Sequence, residues 1–180
     1  MTASRADLPG SSLLARLDIP RLLLAPVPLV MLQPILTHIA GHVARTRPEL
    51  FARLGSHAGK RFLVDPVDLP FVLVLRPDPQ RPRLRAYRRY ENPRHDAGIA
   101  GTFLTLLDMI DGSLDGDALF FSRDLRVSGD TEAVVALRNA LDDFEGGVVD
   151  NIVDAFGPLS RPVALALSAL RAFRARSLHA

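Results

Sequence analysis

Two histidines four residues apart are the clearest candidate for metal chemistry in this sequence. His38 and His42 lie in the segment HIAGH, and this spacing lets two imidazoles share a metal on one face of a helix. A zinc protease needs a glutamate directly after the first histidine, but Ile39 stands there, and a third ligand would have to come from elsewhere. Packing of both histidines on a mostly apolar helix face is therefore the favoured interpretation, and we expect no metal site.

Two glycine-containing segments approach the pattern of a phosphate-binding loop without meeting it. Residues 55–61 read GSHAGKR, with three residues between the glycines where a phosphate loop has four. Arg61 also stands where a serine or threonine would hold magnesium. Residues 98–101, GIAG, lack the glycine pattern of a dinucleotide-binding turn. Ordinary loops explain both segments, so we expect no cofactor.

Carboxylates cluster along the chain, but their positions do not indicate acid–base catalysis. Such catalysis would need two carboxylates across a cleft with separated pKa values, whereas most of these lie at predicted helix ends, where aspartate commonly caps. The chain has no cysteine, which excludes disulfides, thiol catalysis and cysteine-ligated metals. We therefore predict no catalytic residues and a protein that is not an enzyme. The clustered carboxylates are Asp108, Asp111, Asp115, Asp117, Asp142, Asp143 and Glu145.

Positive charge is local and comes almost entirely from arginine. The formal net charge is only +2 and Lys60 is the single lysine, but arginine occurs seven times between Arg76 and Arg94. Such patches suit phosphate groups of nucleic acid or of anionic lipid. The segment RLRAYRRY, residues 83–90, adds two tyrosines that could stack on bases. One of two functional hypotheses is therefore a small basic domain that binds nucleic acid or acts as a protein adaptor. The slight net charge argues against it, and no nucleic acid is expected as a partner.

Hydrophobic periodicity predicts an α+β domain with an antiparallel sheet. Prolines at positions 20, 26, 28 and 34 argue against a helix before Pro34, which would begin one at its first turn. Short alternating runs bounded by proline predict strands, and apolar residues at helical spacing predict helices. Thr102 and Asp130 are predicted N-caps. The predicted helices are 34–47, 48–54, 102–110, 115–121, 130–144, 149–156 and 162–177, and the predicted strands are 62–64, 71–75, 83–90, 97–101 and 124–128.

One segment resembles a known family. Residues 113–143, SLDGDALFFSRDLRVSGDTEAVVALRNALDD, are similar to the sterol-carrier-protein-2 (SCP2) domain family in their acidic-glycine bend, short aromatic helix, strand with Gly-Asp and long helix. The resemblance is close over about residues 101–143 and looser back to about residue 59. Within the family, residues 117–132 and the Pro-rich lead-in PRLLLAPVPLVMLQPIL resemble the bacterial UbiT type, an accessory factor of oxygen-independent ubiquinone biosynthesis.

The resemblance implies a fold and a function. The fold is an SCP2-like five-stranded, mainly antiparallel sheet covered by helices around an apolar tunnel, with extra N- and C-terminal helices. Residues 1–33 would be a Pro-rich apolar lead-in, residues 34–158 the lipid-binding domain and residues 159–180 an amphipathic basic helix. The protein would carry an isoprenoid quinone precursor or another lipid and present it to the hydroxylating enzymes of ubiquinone biosynthesis. We expect it in the cytoplasm and peripherally at the inner membrane.

The predicted lipid-binding wall collects apolar side chains from the sheet and the helices, and ordinary core packing is an equally good explanation for each of them alone. An excess of phenylalanine across several elements favours a cavity. The predicted wall residues are Phe62, Phe71, Leu73, Phe103, Leu107, Ile110, Phe120, Phe121, Leu125 and Val127.

Delivery of a lipid needs contact with a membrane. The run 22–32 is too short and too broken by proline to span a bilayer, and we expect no signal peptide, but it could insert shallowly. The terminal helix combines an apolar stripe with arginines, as interfacial helices do on anionic lipid. Packing of that helix on its own domain or on a second subunit is equally open, as is the oligomeric state. The predicted membrane contacts are Leu23, Leu29, Leu167, Leu170, Phe173, Arg171 and Arg174.

Overall fold

A computed structural model describes residues 29–110, 125–142, 148–154 and 156–177 of the chain. Within these ranges, two helices precede the first strands, four strands follow, and the remaining strand lies among the later helices. The helices are α1 (Leu29–Thr46), α2 (Pro48–Arg53), α3 (Phe103–Ile110), α4 (Thr131–Asp142), α5 (Val148–Asp154) and α6 (Ser160–Ser177). The strands are β1 (Phe62–Pro66), β2 (Phe71–Arg76), β3 (Arg83–Arg88), β4 (Ala97–Gly101) and β5 (Arg126–Gly129).

The five strands form one sheet in the order β3-β2-β1-β4-β5. The pairs β1–β2, β2–β3 and β4–β5 are antiparallel, and β1 pairs with β4 in parallel. This arrangement confirms the predicted α+β class and the mainly antiparallel five-stranded sheet. The parallel pair arises because β4 returns beside β1 after the β1–β2–β3 meander, which needs a longer connection than a hairpin turn.

Strand register places the apolar residues of the alternating runs on one face of the sheet, the inner face. Cross-strand neighbours share a face, and one row crosses all five strands through Ala86, Leu73, Val64, Ile99 and Val127. Every member of this row is apolar, so the period-two pattern of the sequence becomes a continuous surface that the helices can cover.

The helices pack on the inner face and build the core there. Phe62 and Ile99 of the sheet pack with Leu106 of α3 and with Val134 and Leu137 of α4. A second cluster joins α1 to β2 and β3, and a third joins α1 to α2. The second cluster contains Leu36, Leu69, Phe71 and Ala86, and the third contains Ile39, Val43, Leu50 and Phe51.

Two side-chain caps confirm predicted helix starts. The Thr102 hydroxyl accepts a hydrogen bond from the backbone N–H of Thr105 at 3.2 Å, one turn into α3. The Asp130 carboxylate accepts one from the N–H of Ala133 at 3.0 Å, at the start of α4. Each cap satisfies an N–H that has no partner within the helix.

The expectation that proline delays the first helix until Pro34 was wrong. Helix α1 already begins at Leu29 and contains Pro34. Proline removes the N–H that would bond the carbonyl of Val30, but Val30 is 80% exposed, so water can reach that turn. Leu29 and Leu36 pack against the second cluster, and this tertiary contact outweighs the local cost. No helix in the described ranges is long and apolar enough to cross a bilayer.

Candidate functional site

Several aliphatic side chains on the inner face stay partly accessible although they point towards the helices. Leu73 and Val64 are cross-strand neighbours, as are Leu75 and Leu84. By contrast, the adjacent Phe62 is only 2% exposed. Together these side chains pack against the core from the same face of the sheet. We call this set the apolar strip, and it consists of Val64, Leu73, Leu75, Leu84, Leu125 and Val127.

The structure places most of the predicted lipid-binding residues on the inner face of the sheet or on the elements next to it. Phe62, Phe71, Leu73 and Val127 all lie on the inner face by register. The remaining members from the described residues lie on α3 or just before β5. Phe103 packs beside Phe71 and Leu73, Ile110 and Leu125 pack on the cluster around Phe62, and Leu107 is buried in α3.

Burial divides these residues into core and accessible surface. Phe62 and Phe71 are buried and pack in the core, whereas Leu73, Phe103 and Ile110 keep part of their surface accessible. Phe120 and Phe121 lie outside the described residues. Contact of any of these side chains with a lipid stays a prediction.

An enclosed cavity between the sheet and the helices is too small for a lipid. Its volume is about 10 Å³, which is about the space of one water molecule, and ligand pockets are usually larger by more than an order of magnitude. The apolar tunnel therefore stays a prediction, with residues 111–124 outside the described part of the chain. The cavity is lined by Phe62, Leu63, Gly98, Ile99, Met109, Val134, Leu137 and Arg138.

The lipid-binding wall predicted from the sequence omitted three members of the apolar strip, namely Val64, Leu75 and Leu84. Val64 and Leu75 followed the alternation of β1 and β2 and could have been found by extending that pattern to every second residue. Leu84 stands between Arg83 and Arg85, so the charge of its neighbours concealed an inward-facing position that only the register with Leu75 reveals.

The glycine-containing segment 55–61 contacts the N-terminus of α4 through Lys60. The Lys60 ammonium donates to the Asp130 carboxylate, and its Nζ also lies 2.9 Å from Nδ1 of His57. The hydrogen bond from Lys60 and, after it, the one from the Ala133 N–H hold the pKa of Asp130 below its usual value. The single lysine is therefore occupied in joining this loop to the N-terminus of α4.

Arg89 in the Arg-rich segment contacts residues of its own domain. It lies in a short 3₁₀ turn after β3, and its guanidinium is 2.8 Å from an Asp65 carboxylate oxygen. It also donates to the carbonyls of Leu69, at 2.9 Å, and of Pro66. These three partners lie on the β1–β2 connection and its flanks, so Arg89 braces that turn instead of facing a ligand.

The predicted membrane contacts lie in different surroundings. Leu29 is partly buried against the α1–sheet cluster, and Leu167 on α6 is half-buried. Arg171 lies with its Nε 3.6 Å from a carboxylate oxygen of Asp108, whose side chain is 11% exposed on α3. The terminal helix therefore contacts its own domain there. Leu23 and the side chains of Leu170, Phe173 and Arg174 lie outside the described residues, and membrane contact stays a prediction.

The two histidines of α1 pack against each other. The ring centroids of His38 and His42 are 6.4 Å apart with the rings 29° from parallel. Within the ranges that the structure describes, no group of three potential metal ligands forms. His38 also borders an open groove of about 360 Å³ beside Phe156.

Solved structures of SCP2 proteins are similar to this chain at low identity. A ubiquinone synthesis protein described as UbiJ-SCP2 has 18% identity, with 65% of this chain and 90% of that chain covered and a TM-score of 0.47. Apo sterol carrier protein 2 from Yarrowia lipolytica has 9% identity, coverage of 66% and 93%, and a TM-score of 0.44. A sterol carrier protein domain 2 from Helicoverpa armigera has 14% identity, coverage of 66% and 91%, and a TM-score of 0.40.

The comparison of family models gives the decisive result. No curated protein sequence is similar enough to this chain to be matched. The model of the SCP-2 sterol transfer family matches residues 41–142, a range that runs from α1 through the whole sheet to the end of α4 and covers more than half of the chain. The chain therefore belongs to the SCP-2 sterol transfer family.

Proposed function

We propose that this protein is a non-catalytic lipid carrier that holds its cargo against the inner face of the sheet. The apolar strip is the observation that carries this proposal. Aliphatic side chains such as Val64, Leu73 and Val127 point into the layer between sheet and helices but keep part of their surface accessible. Family membership supports the same function.

The dimensions of the strip suit a long hydrocarbon tail. The inner-face row from Ala86 to Val127 crosses five strands, so at the usual spacing between strands it is roughly 19 Å long. Several isoprene units or an acyl chain would match that length. Each buried methylene contributes about 0.8 kcal/mol, so even partial coverage of such a tail would hold a lipid that is nearly insoluble in water.

The proposed cargo is an isoprenoid quinone precursor, which the protein would present to the hydroxylating enzymes of oxygen-independent ubiquinone biosynthesis. This narrower assignment rests on the similarity of residues 117–132, DALFFSRDLRVSGDTE, and of the Pro-rich lead-in at 20–36 to the UbiT type. A place in the cytoplasm with peripheral contact to the inner membrane, where such lipids reside, belongs to the same proposal.

The lipid content of the purified protein tests the proposal directly. Native mass spectrometry and solvent extraction should both detect a bound isoprenoid or acyl lipid, and stripped protein should take up added quinone. Protein that is free of lipid and that also ignores added quinones and phospholipids would rule the carrier function out.

Charge substitutions test where the lipid lies. Leu73→Asp and Leu107→Asp should abolish uptake of added quinone, because a carboxylate on the wall would have to be desolvated by the tail. Val135→Asp is the matched control, since Val135 on α4 is 43% exposed. Normal uptake by a folded Leu73→Asp variant, checked by circular dichroism, would show that the strip is not the binding surface.

A further inference from the structure

Four exposed arginines lie at the β3 edge of the sheet. Arg76 of β2 directly faces Arg83 of β3, and Arg85 follows Arg83 on the same outer face. Arg81 lies in the loop that joins the two strands. In the described part of the chain, no carboxylate lies within ion-pair distance of any of these four guanidinium groups.

Asp78 is the one acid in this loop, and it does not neutralise the group. Its carboxylate accepts backbone N–H bonds from Gln80 at 2.9 Å and Arg81 at 3.2 Å. These bonds, with a smaller contribution from the charges of Arg76 and Arg81, keep the pKa of Asp78 low. Four arginines against one aspartate leave a local charge of +3 in residues 76–85.

No contact among the described residues explains this concentration of charge. Like charges on directly facing residues of an antiparallel pair are destabilising, and Arg76 and Arg83 are such a pair. Arg89 shows the contrast, because its guanidinium bonds Asp65 and two backbone carbonyls. Unlike Arg89, the side chains of Arg76, Arg81, Arg83 and Arg85 are exposed and have no ion-pair partner among the described residues.

Exposed aliphatic side chains lie on α1, the helix that packs along β3. Helix α1 packs along β3, and Gln33 Nε2 donates to the carbonyl of Ala86 at 2.7 Å, between Arg85 and Tyr87. Gln33 and Val30 line the same open groove of about 650 Å³ on α1. Val30 is 80% exposed and the adjacent Met31 is 68% exposed. A phosphodiester backbone has no use for such side chains, whereas a lipid headgroup region accommodates both arginine and aliphatic groups.

We propose that the β3 edge, together with the first turns of α1, docks on a bilayer that contains anionic phospholipid. Arg76, Arg83 and Arg85 bind lipid phosphates, for which the planar guanidinium is suited, and Val30 and Met31 enter the headgroup region. This surface uses other side chains than the apolar strip, and it does not include the terminal helix, where Arg171 lies against Asp108.

Vesicle flotation tests the proposal. The wild-type protein should float with vesicles of phosphatidylcholine and phosphatidylglycerol, and not with vesicles of phosphatidylcholine alone. Each arginine near an anionic surface contributes a factor of about five in affinity, so Arg85→Gln should bind about fivefold more weakly and the Arg83→Gln/Arg85→Gln double variant about 25-fold more weakly. The Arg83→Lys/Arg85→Lys variant should keep most of the binding.

Arg126→Gln is the matched control. Arg126 is exposed on the outer face of the sheet, but on β5, at the opposite edge. Its loss removes the same charge and should leave vesicle binding unchanged. An equal loss in Arg126→Gln and Arg85→Gln would mean that only net charge matters, and an unchanged affinity in the double arginine variant would mean that another surface docks. Either result overturns the proposal.

Two further measurements separate the apolar contribution and the competing partner. Val30→Ser/Met31→Ser should weaken the binding that persists at high salt, where charge attraction is screened. Single-stranded and duplex oligonucleotides should not compete with the vesicles. If the wild-type protein binds oligonucleotides tightly but does not bind vesicles, and the double arginine variant loses the oligonucleotide binding, the surface binds nucleic acid and the proposal is overturned. Native mass spectrometry of the double variant should still detect the cargo lipid, so failure of docking and failure of the carrier function give different results.

Discussion

The two faces of the sheet differ in how many of their side chains find packing or ion-pair partners among the described residues. On the inner face, apolar residues such as Phe62 and Ile99 pack against α3 and α4. On the outer face, one row of cross-strand neighbours passes through Val74 and Leu63, with Arg85 at one edge of the sheet and Ser128 at the other. The inner face can be explained as core with or without a ligand, whereas Arg76, Arg81, Arg83 and Arg85 have no ion-pair partner among the described residues.

The difference indicates which face gives the stronger argument about function. Burial of an apolar side chain is favourable in every folded protein, so it separates core from ligand wall only where accessibility remains, as at Leu73. Repulsion between facing charges such as Arg76 and Arg83 costs stability, so its presence points to a partner outside the fold. Three predictions test this comparison through stability.

The largest effect is expected from truncation on the inner face. Phe62→Ala should lower the free energy of unfolding by about 3–5 kcal/mol, because the phenyl ring leaves a cavity that packed neighbours cannot fill. Urea denaturation measures this loss. Leu63→Ala, at the half-buried adjacent position on the outer face, is the control and should cost less. Equal losses would indicate that Phe62 borders open space and belongs to the ligand wall instead of the core.

A smaller effect is expected at two arginines of the Arg-rich segment, and it should distinguish Arg89 from Arg85. Arg89→Gln should lower the free energy of unfolding by about 1.5–3 kcal/mol, since the ion pair with Asp65 and the charged hydrogen bond to the carbonyl of Leu69 are lost. Arg85→Gln should change it by no more than about 0.5 kcal/mol, as for an exposed surface residue. A large loss in Arg85→Gln would show that this arginine supports the fold.

The smallest effect concerns Asp130, directly after the end of β5, and it depends on pH. Its folded-state pKa lies below the usual 3.8, mainly because Lys60 bonds the carboxylate. The stabilisation is therefore fully present above about pH 4 and is lost as the pH falls through the folded pKa. Asparagine also caps helices, so Asp130→Asn should be less stable than wild type at neutral pH, and the two urea midpoints should converge in acid.

A double-mutant cycle identifies the partner in this effect. In a Lys60→Gln background, the substitution Asp130→Asn should have a smaller effect at neutral pH, because the ion pair is already absent. An undiminished effect would assign the stabilisation to the N-cap bond with Ala133 and to the helix N-terminus.

Much of the fold could be predicted from local patterns. Alternation placed Phe62 and Leu73 on one face, helical spacing located α3 and α4, and capping chemistry located Thr102 and Asp130 at their starts. Each of these features depends on residues a few positions apart, and the steric and hydrogen-bonding rules at that range act in any context. The start of α1 was the exception, because contacts with the sheet outweighed the local preference against Pro34.

The sequence by itself determined the α+β class, the apolar inner face and the absence of cysteine chemistry. Only the tertiary structure decided that Lys60 pairs with Asp130, 70 residues away in the chain, and that Arg89 donates to the carbonyl of Leu69. It also decided that Arg76 and Arg83 face each other across β2 and β3. These pairings depend on strand order and loop path, which no local spacing encodes. For that reason, Arg89 of the basic segment has a structural role, while Arg83 and Arg85 of the same segment have no ion-pair partner among the described residues.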